Sequence, residues 1–134
     1  MIIRKKITIL QIRKPLRTTL NEELQWFGNS LGLFNLRDKD KSCFRVFIEL
    51  LKAAKAGIPV SSDQLAQRLG LTRATVIHHI NTLREKGIVV AESRGYLLRQ
   101  PNLKLLVEDL KQDMNRTYDE IAKVAEEIDG FLGL

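Results

Sequence analysis

Two amphipathic stretches stand almost back to back in this chain, and they constrain its fold more tightly than anything else in it. In "IPVSSDQLAQRLGLTRATVIHHINTLREKG", residues 58–87, Ser61 is placed to cap a helix and Gln64, three residues on, to reach back to it. Leu65, Ala66 and Leu69 make the buried stripe of that helix, and Gly70 supplies the left-handed residue that ends it. Only Leu71 and Thr72 intervene before the next helix. Thr72 is its N-cap, Val76, Ile80 and Leu83 form its inner face, and Gly87 closes it. "IVVAE-SRG-YLLR" then reads as two short strands around a glycine-containing turn.

Two helices joined by a tight glycine turn and followed by a hairpin make a winged helix-turn-helix. Ala66 is small where the helices must cross, Gly70 permits the turn, and Val76 plugs the gap between them. The recognition helix is expected over about 73–86 and the wing tip at 93–95.

Upstream, "IIRKKITILQIRK", residues 2–14, is isoleucine-rich with basic residues interleaved, and Pro15 stops it; this composition predicts a strand. Leu20, Leu24, Phe27 and Leu31 follow at helical spacing behind a Thr19 cap. A loop over 35–42 leads to a helix with apolar groups at Phe44, Phe47, Leu51 and Ala54, ended by Gly57. From Pro101 onward a single helical pattern runs almost to the end. The expected fold is mainly α with a small β-hairpin. A basic strand-helix extension occupies 1–37, a winged helix-turn-helix 38–100, and a long dimerisation helix 101–134.

The charge is divided along the chain. Residues 1–100 carry 18 Lys+Arg against 8 Asp+Glu, and residues 101–134 carry 4 against 8. A basic body with an acidic tail points to a polyanion-binding part and a second part with another task. Hydrophobic residues at 44% supply a core, and no apolar run approaches the roughly 20 residues of a membrane span. The N-terminus has no signal-peptide pattern. Cys43 is the single cysteine, which excludes an internal disulfide and a cysteine-rich zinc site. The expected location is cytoplasmic, with no membrane partner.

His78 and His79 are adjacent, so on a helix they point about 100° apart and do not grip one metal ion. No metal, cofactor or catalytic role is expected of them, and no enzyme activity of the chain. His79 falls on the flank of the core face as a packing residue with one satisfied nitrogen. Ala74, Thr75, His78 and Thr82 fall opposite the core, with Asn81 at the edge. These residue types suit double-stranded DNA. Arg73 reaches phosphate or a guanine edge, Thr72 and Thr75 suit phosphate or a thymine methyl, His78 donates to a base acceptor, and Asn81 pairs with adenine. Arg94, at the wing tip, suits phosphate or the minor groove. Arg84 and Lys86 read as solvated charges.

"TVIHHINTLREKGIVV", residues 75–90, resembles the recognition helix of winged-helix regulators of the arsenical-resistance-repressor (ArsR) type, archaeal members above all. The resemblance covers residues 40–100 and implies a DNA-binding transcription regulator. The cysteine-rich metal-sensing box of some members is absent, since Cys43 stands alone in "DKSCFRVF".

In the tail, Leu103, Val107, Leu110, Met114, Thr117, Ile121, Val124, Ile128 and Phe131 recur in steps of four and three. Four such heptads predict a partner helix, with Val107, Ile121 and Ile128 suiting two strands if they are parallel. The sum is a homodimer presenting two recognition helices to a palindromic site. Two alternatives share the fold. One is a protein-interaction module, which the small polar face of the helix disfavours. The other is a ligand-sensing regulator with Trp26, Phe27 and Phe34 lining a pocket, for which the sequence names no effector.

Overall fold

Capping chemistry sets the element boundaries in the computed structural model, which describes residues 1–14, 16, 19–34 and 41–134. Helix α1 (Leu20–Ser30) starts where the Thr19 side chain accepts from the Glu22 N–H. Helix α2 (Ser42–Ala54) follows Lys41, a non-glycine residue at φ 56°. Helix α3 (Ser62–Leu69) opens on the expected capping box, with Ser61 and Gln64 each satisfying the other's backbone. Gly70 ends it at φ 65°, where an L side chain would be strained. Helix α4 (Arg73–Glu85) begins at Thr72, whose hydroxyl accepts from the Thr75 N–H. The 30-residue helix α5 (Leu103–Leu132) is capped by Asn102.

Between α4 and α5, strands β1 (Val89–Glu92) and β2 (Gly95–Leu98) pair antiparallel, with Glu92 opposite Gly95. The hairpin loop is therefore two residues, Ser93 and Arg94, one shorter than expected, because Gly95 belongs to the ladder. The reason is a third chain segment. Val60, just before α3, exchanges both backbone hydrogen bonds with Tyr96, at 2.9 and 2.8 Å. At Gly95 that segment passes so close that a Cβ would lie 2.5 Å from the Val60 carbonyl oxygen, and φ is 149°. Only glycine fits there.

The core is built by α2, α3, α4, the hairpin and the first turns of α5. Val46, Phe47 and Leu50 of α2 meet Leu65 of α3 and Val76, Ile80 and Leu83 of α4, all fully buried. In α2 the inner face thus centres on Phe47 and Leu50, and Leu51 is only half-buried. Leu24 and Phe27 of α1 and Leu31 just after it pack against the core, whereas Leu20, in the first turn, is exposed.

Residues 2–14 correct the expectation of a strand. The segment joins no ladder; instead the Lys6 N–H donates to the Glu85 carbonyl (2.9 Å) and the Leu10 N–H to the Ser30 carbonyl (2.8 Å). Both acceptors lie at helix C-termini, where carbonyls have no intrahelical donor. An extended segment pairs with these scattered acceptors as readily as with a strand, and composition does not distinguish the two.

Helix α5 is divided lengthwise. Leu106 and Leu110 are buried in the chain's own core and Leu103 packs against it, while every residue from Asn115 to Leu134 is exposed. The inner face of its first turns is therefore Leu103, Leu106, Leu110 and Asp113. Leu103 and Leu110, expected in a seam with a partner, face their own domain instead. Val107 is exposed and Met114 half-exposed.

Candidate nucleic-acid interface

Helix α4 is held from one side only. Val76, His79, Ile80 and Leu83 face the core; Ala74, His78, Asn81 and Glu85 form the exposed line opposite. Thr75 and Thr82 sit on one flank, half-buried. The turn before the helix is rigid. Thr72 accepts from the Thr75 backbone and donates to the Thr75 hydroxyl (2.8 Å), so these two hydroxyls are already oriented by each other.

Arg73 pairs with Asp63 of α3 at 3.5 Å, with both side chains largely in solvent. Such a pair is weak in water. The guanidinium is therefore cheaply redirected to a phosphate. Arg94 is exposed at the hairpin tip. Thr82, half-buried, donates to the His78 carbonyl (3.2 Å).

The two histidines separate as the helix geometry requires. His78 is exposed; His79 is 8% exposed, its Nε2 2.6 Å from the Ser42 hydroxyl at the start of α2. Their ring centroids lie 5.4 Å apart. Among the described residues no group of three or more His, Cys, Asp or Glu is placed to hold a metal ion.

Lys86 corrects the expectation of a solvated charge. It is half-buried, donates to Thr8 (3.1 Å), and burial pushes its pKa below the ordinary lysine value. With the Lys6–Glu85 hydrogen bond, this contact lays the N-terminal segment against the C-terminal end of α4. Among the described residues, the N-terminal segment makes no hydrogen bond to the first turns of the helix, where Arg73, Ala74 and His78 are exposed.

Beside α4 lies a pocket of about 670 Å3, lined among others by Lys6, Phe34, Ser42, Thr75, His78 and Thr82. Of the three aromatics expected around a cavity, only Phe34 borders it. Phe27 stacks on Phe47 at 6.2 Å between centroids, and the Trp26 indole N–H donates to the Ile12 carbonyl (3.2 Å).

One cluster is absent from the reading of the sequence. Asp113, 4% exposed, accepts from Lys5 (2.8 Å), Arg99 and Arg116 (2.8 Å), and Arg99 also pairs with Asp109 at 3.2 Å. The hydrogen bond from Arg99, reinforced by those from Lys5 and Arg116, holds the Asp113 carboxyl well below the usual carboxylate range, against its desolvation. The same pairing raises Arg99. The available signal was an acid three residues after Leu110, on the inner face of α5. The cluster ties the N-terminal segment and the end of the hairpin to the long helix.

No helix among the described residues is long and apolar enough to cross a membrane. No curated protein matches the chain in sequence. A family model described as an HTH domain matches residues 45–97, from within α2 to near the end of β2. With its hairpin the fold is that of a winged helix-turn-helix, and the match over residues 45–97 supports a DNA-binding regulator.

Proposed function

We propose that the protein is a homodimeric transcription regulator of the ArsR type that reads a palindromic operator. The observation that carries this reading is the exposed face of α4. A capped turn presents Thr72 and Arg73, followed by the exposed line of Ala74, His78 and Asn81, beside a flank bearing Thr75 and Thr82, all small or polar groups suited to base edges and phosphates. Arg94 on a two-residue tip adds a phosphate or minor-groove contact. The likeness of residues 75–90 to ArsR-type recognition helices, archaeal ones above all, supports the same assignment. Dimerisation is assigned to the distal part of α5, where Ile121, Val124 and Ile128 are each about half exposed or more on one side of an otherwise charged helix.

Selection of bound fragments from the genome of the source organism tests this. Recovery of one inverted-repeat motif is the expected result. Fragments no richer in any motif than the input would sink the operator reading and leave an interaction module.

A second reading, a regulator that also takes a small effector, is favoured by the pocket beside Thr75, His78 and Thr82. A ligand there would touch the reading face itself, so it should compete with DNA.

A further inference from the structure

Two ammonium groups share one cleft at the C-terminal end of α4. The Lys6 N–H donates to the Glu85 carbonyl (2.9 Å), which brings its side chain to the pocket that Lys86 also lines. The described lining of that pocket contains both lysines and no carboxylate. Neither ammonium forms an ion pair among the described residues. Lys86 is half-buried and gives one of its three donors to Thr8 (3.1 Å). A Cβ on Gly32 would stand 2.7 Å from Thr8 and 3.4 Å from the Lys86 Nζ, so the glycine makes room for this contact. Burial lowers the pKa of Lys86 and the charge of Lys6 lowers it further, against the opposing pull of Cys43 and Glu85. Two like charges held in a partly dry cleft repel each other, and an anion between them relieves the repulsion and offsets the lost hydration.

The rest of the cleft suits an organic body behind such a charge. Phe34 forms a half-buried apolar wall, with the Lys41 ammonium 5.4 Å from its ring centroid. Thr75, His78 and Thr82 of α4 add hydroxyl and imidazole groups, and the volume of about 670 Å3 lies in the range of small-molecule sites. We infer that this cleft binds a small organic anion, a carboxylate or phosphate ester on an apolar body, with the anionic group between Lys6 and Lys86 and the body against Phe34. The inference rests on the effector reading and names its ligand class. It also makes the N-terminal segment half of the site, through Lys6. A DNA phosphate offers the same oxyanion, so the test separates the two sources.

The full chain, isotopically labelled and free of DNA, is titrated with benzoate, phenyl phosphate and the neutral benzamide at constant ionic strength. The two anions should shift the Thr75, Thr82 and Lys86 amide signals saturably at millimolar concentration. Benzamide should bind about tenfold more weakly or not at all, the scale of one charge-assisted hydrogen bond. Lys6→Met, at an exposed position, should weaken both anions by a similar factor with the circular dichroism spectrum unchanged. Benzoate should also displace a bound duplex. Benzamide binding as tightly as the anions overturns the anion class and leaves the effector reading standing. Anion binding that survives Lys6→Met unweakened overturns the placement between the two lysines. No saturable shift from any of the three compounds overturns both the inference and the effector reading; a salt slope for DNA binding made shallower by Lys6→Met then assigns the lysines to backbone phosphates.

Discussion

The Ser42 hydroxyl and His79 Nε2 lie 2.6 Å apart, joining the first turn of α2 to the buried flank of α4. His78, one residue earlier, points to solvent. Replacing each by alanine should therefore damage different properties. His79→Ala loses packing and the hydrogen bond to the Ser42 hydroxyl, at a cost of about 1–2 kcal/mol in stability. His78→Ala should leave the denaturant midpoint in place and weaken operator binding by about 1–3 kcal/mol, the scale of one base contact. A chelator should change neither result. Paired measurements of midpoint and affinity decide the matter; loss of metal and DNA binding together in both variants would overturn the assignment.

Asp113 makes stability depend on acid pH. Its folded-state pKa lies below the unfolded value of about 3.9, so the carboxylate contributes stability that is fully present above that pH. That contribution is lost as pH falls toward the folded-state pKa. Asp113→Asn should cost about 2 kcal/mol near neutrality, less than for a fully enclosed ion pair because its cations reach water. It should also flatten the decline in stability on acidification. Denaturation curves from neutral pH down to the acid limit measure both effects, and identical slopes for the two proteins would count against the cluster.

Gly95→Ala should be among the most damaging single-methyl changes in the domain. Its Cβ would strike the Val60 carbonyl at 2.5 Å, at a φ that L residues avoid. A loss of about 2–4 kcal/mol is expected, combining backbone strain with displacement of the Val60–Tyr96 pairing. Thermal melts report the loss, and amide exchange at Val60 and Tyr96 shows whether that pairing opened.

DNA affinity should fall steeply with salt. A dimer neutralising roughly 6 to 10 phosphates gives a log–log slope on the order of −5 to −9. Arg73→Ala and Arg94→Ala should each make the slope shallower. A fluorescent duplex titrated at several salt concentrations provides the readout, and a flat response would exclude phosphate-driven binding.

Ile121→Asp should yield a folded monomer. The position is exposed in the single chain, so the charge is tolerated there and penalised only in an interface. Operator affinity should drop by far more than one lost contact, since two half-sites no longer bind as one. Scattering that still reports a dimer would move the interface to another surface.

The helix-turn-helix was legible because its signals are local: a capping box at Ser61 and Gln64, a left-handed Gly70, a cap at Thr72 and an apolar spacing through Val76 and Ile80. The split between His78 and His79 followed from helical periodicity alone. What escaped was non-local. Whether residues 2–14 meet a strand or the carbonyls of Glu85 and Ser30 depends on neighbours that composition does not name. In α5 the steps of four and three run through both Leu110 and Ile121, although the first is buried by its own domain and the second is not. Asp113 was hidden because two of its three cations, Lys5 and Arg99, come from outside its own helix.

Helix α5 passes without interruption from side chains locked in the core, Leu106 and Leu110, to side chains bare in solvent. Such a rod counts residues. An insertion of one amino acid after Asp113 turns everything beyond it by about 100°, and an insertion of seven restores the face while adding about 10.5 Å. If the far end sets how two copies meet, the angular phase between their reading heads is written as a number of residues between Asp113 and Ile121. A lineage that gains or loses residues there must change its operator spacing, or do so in near-whole turns.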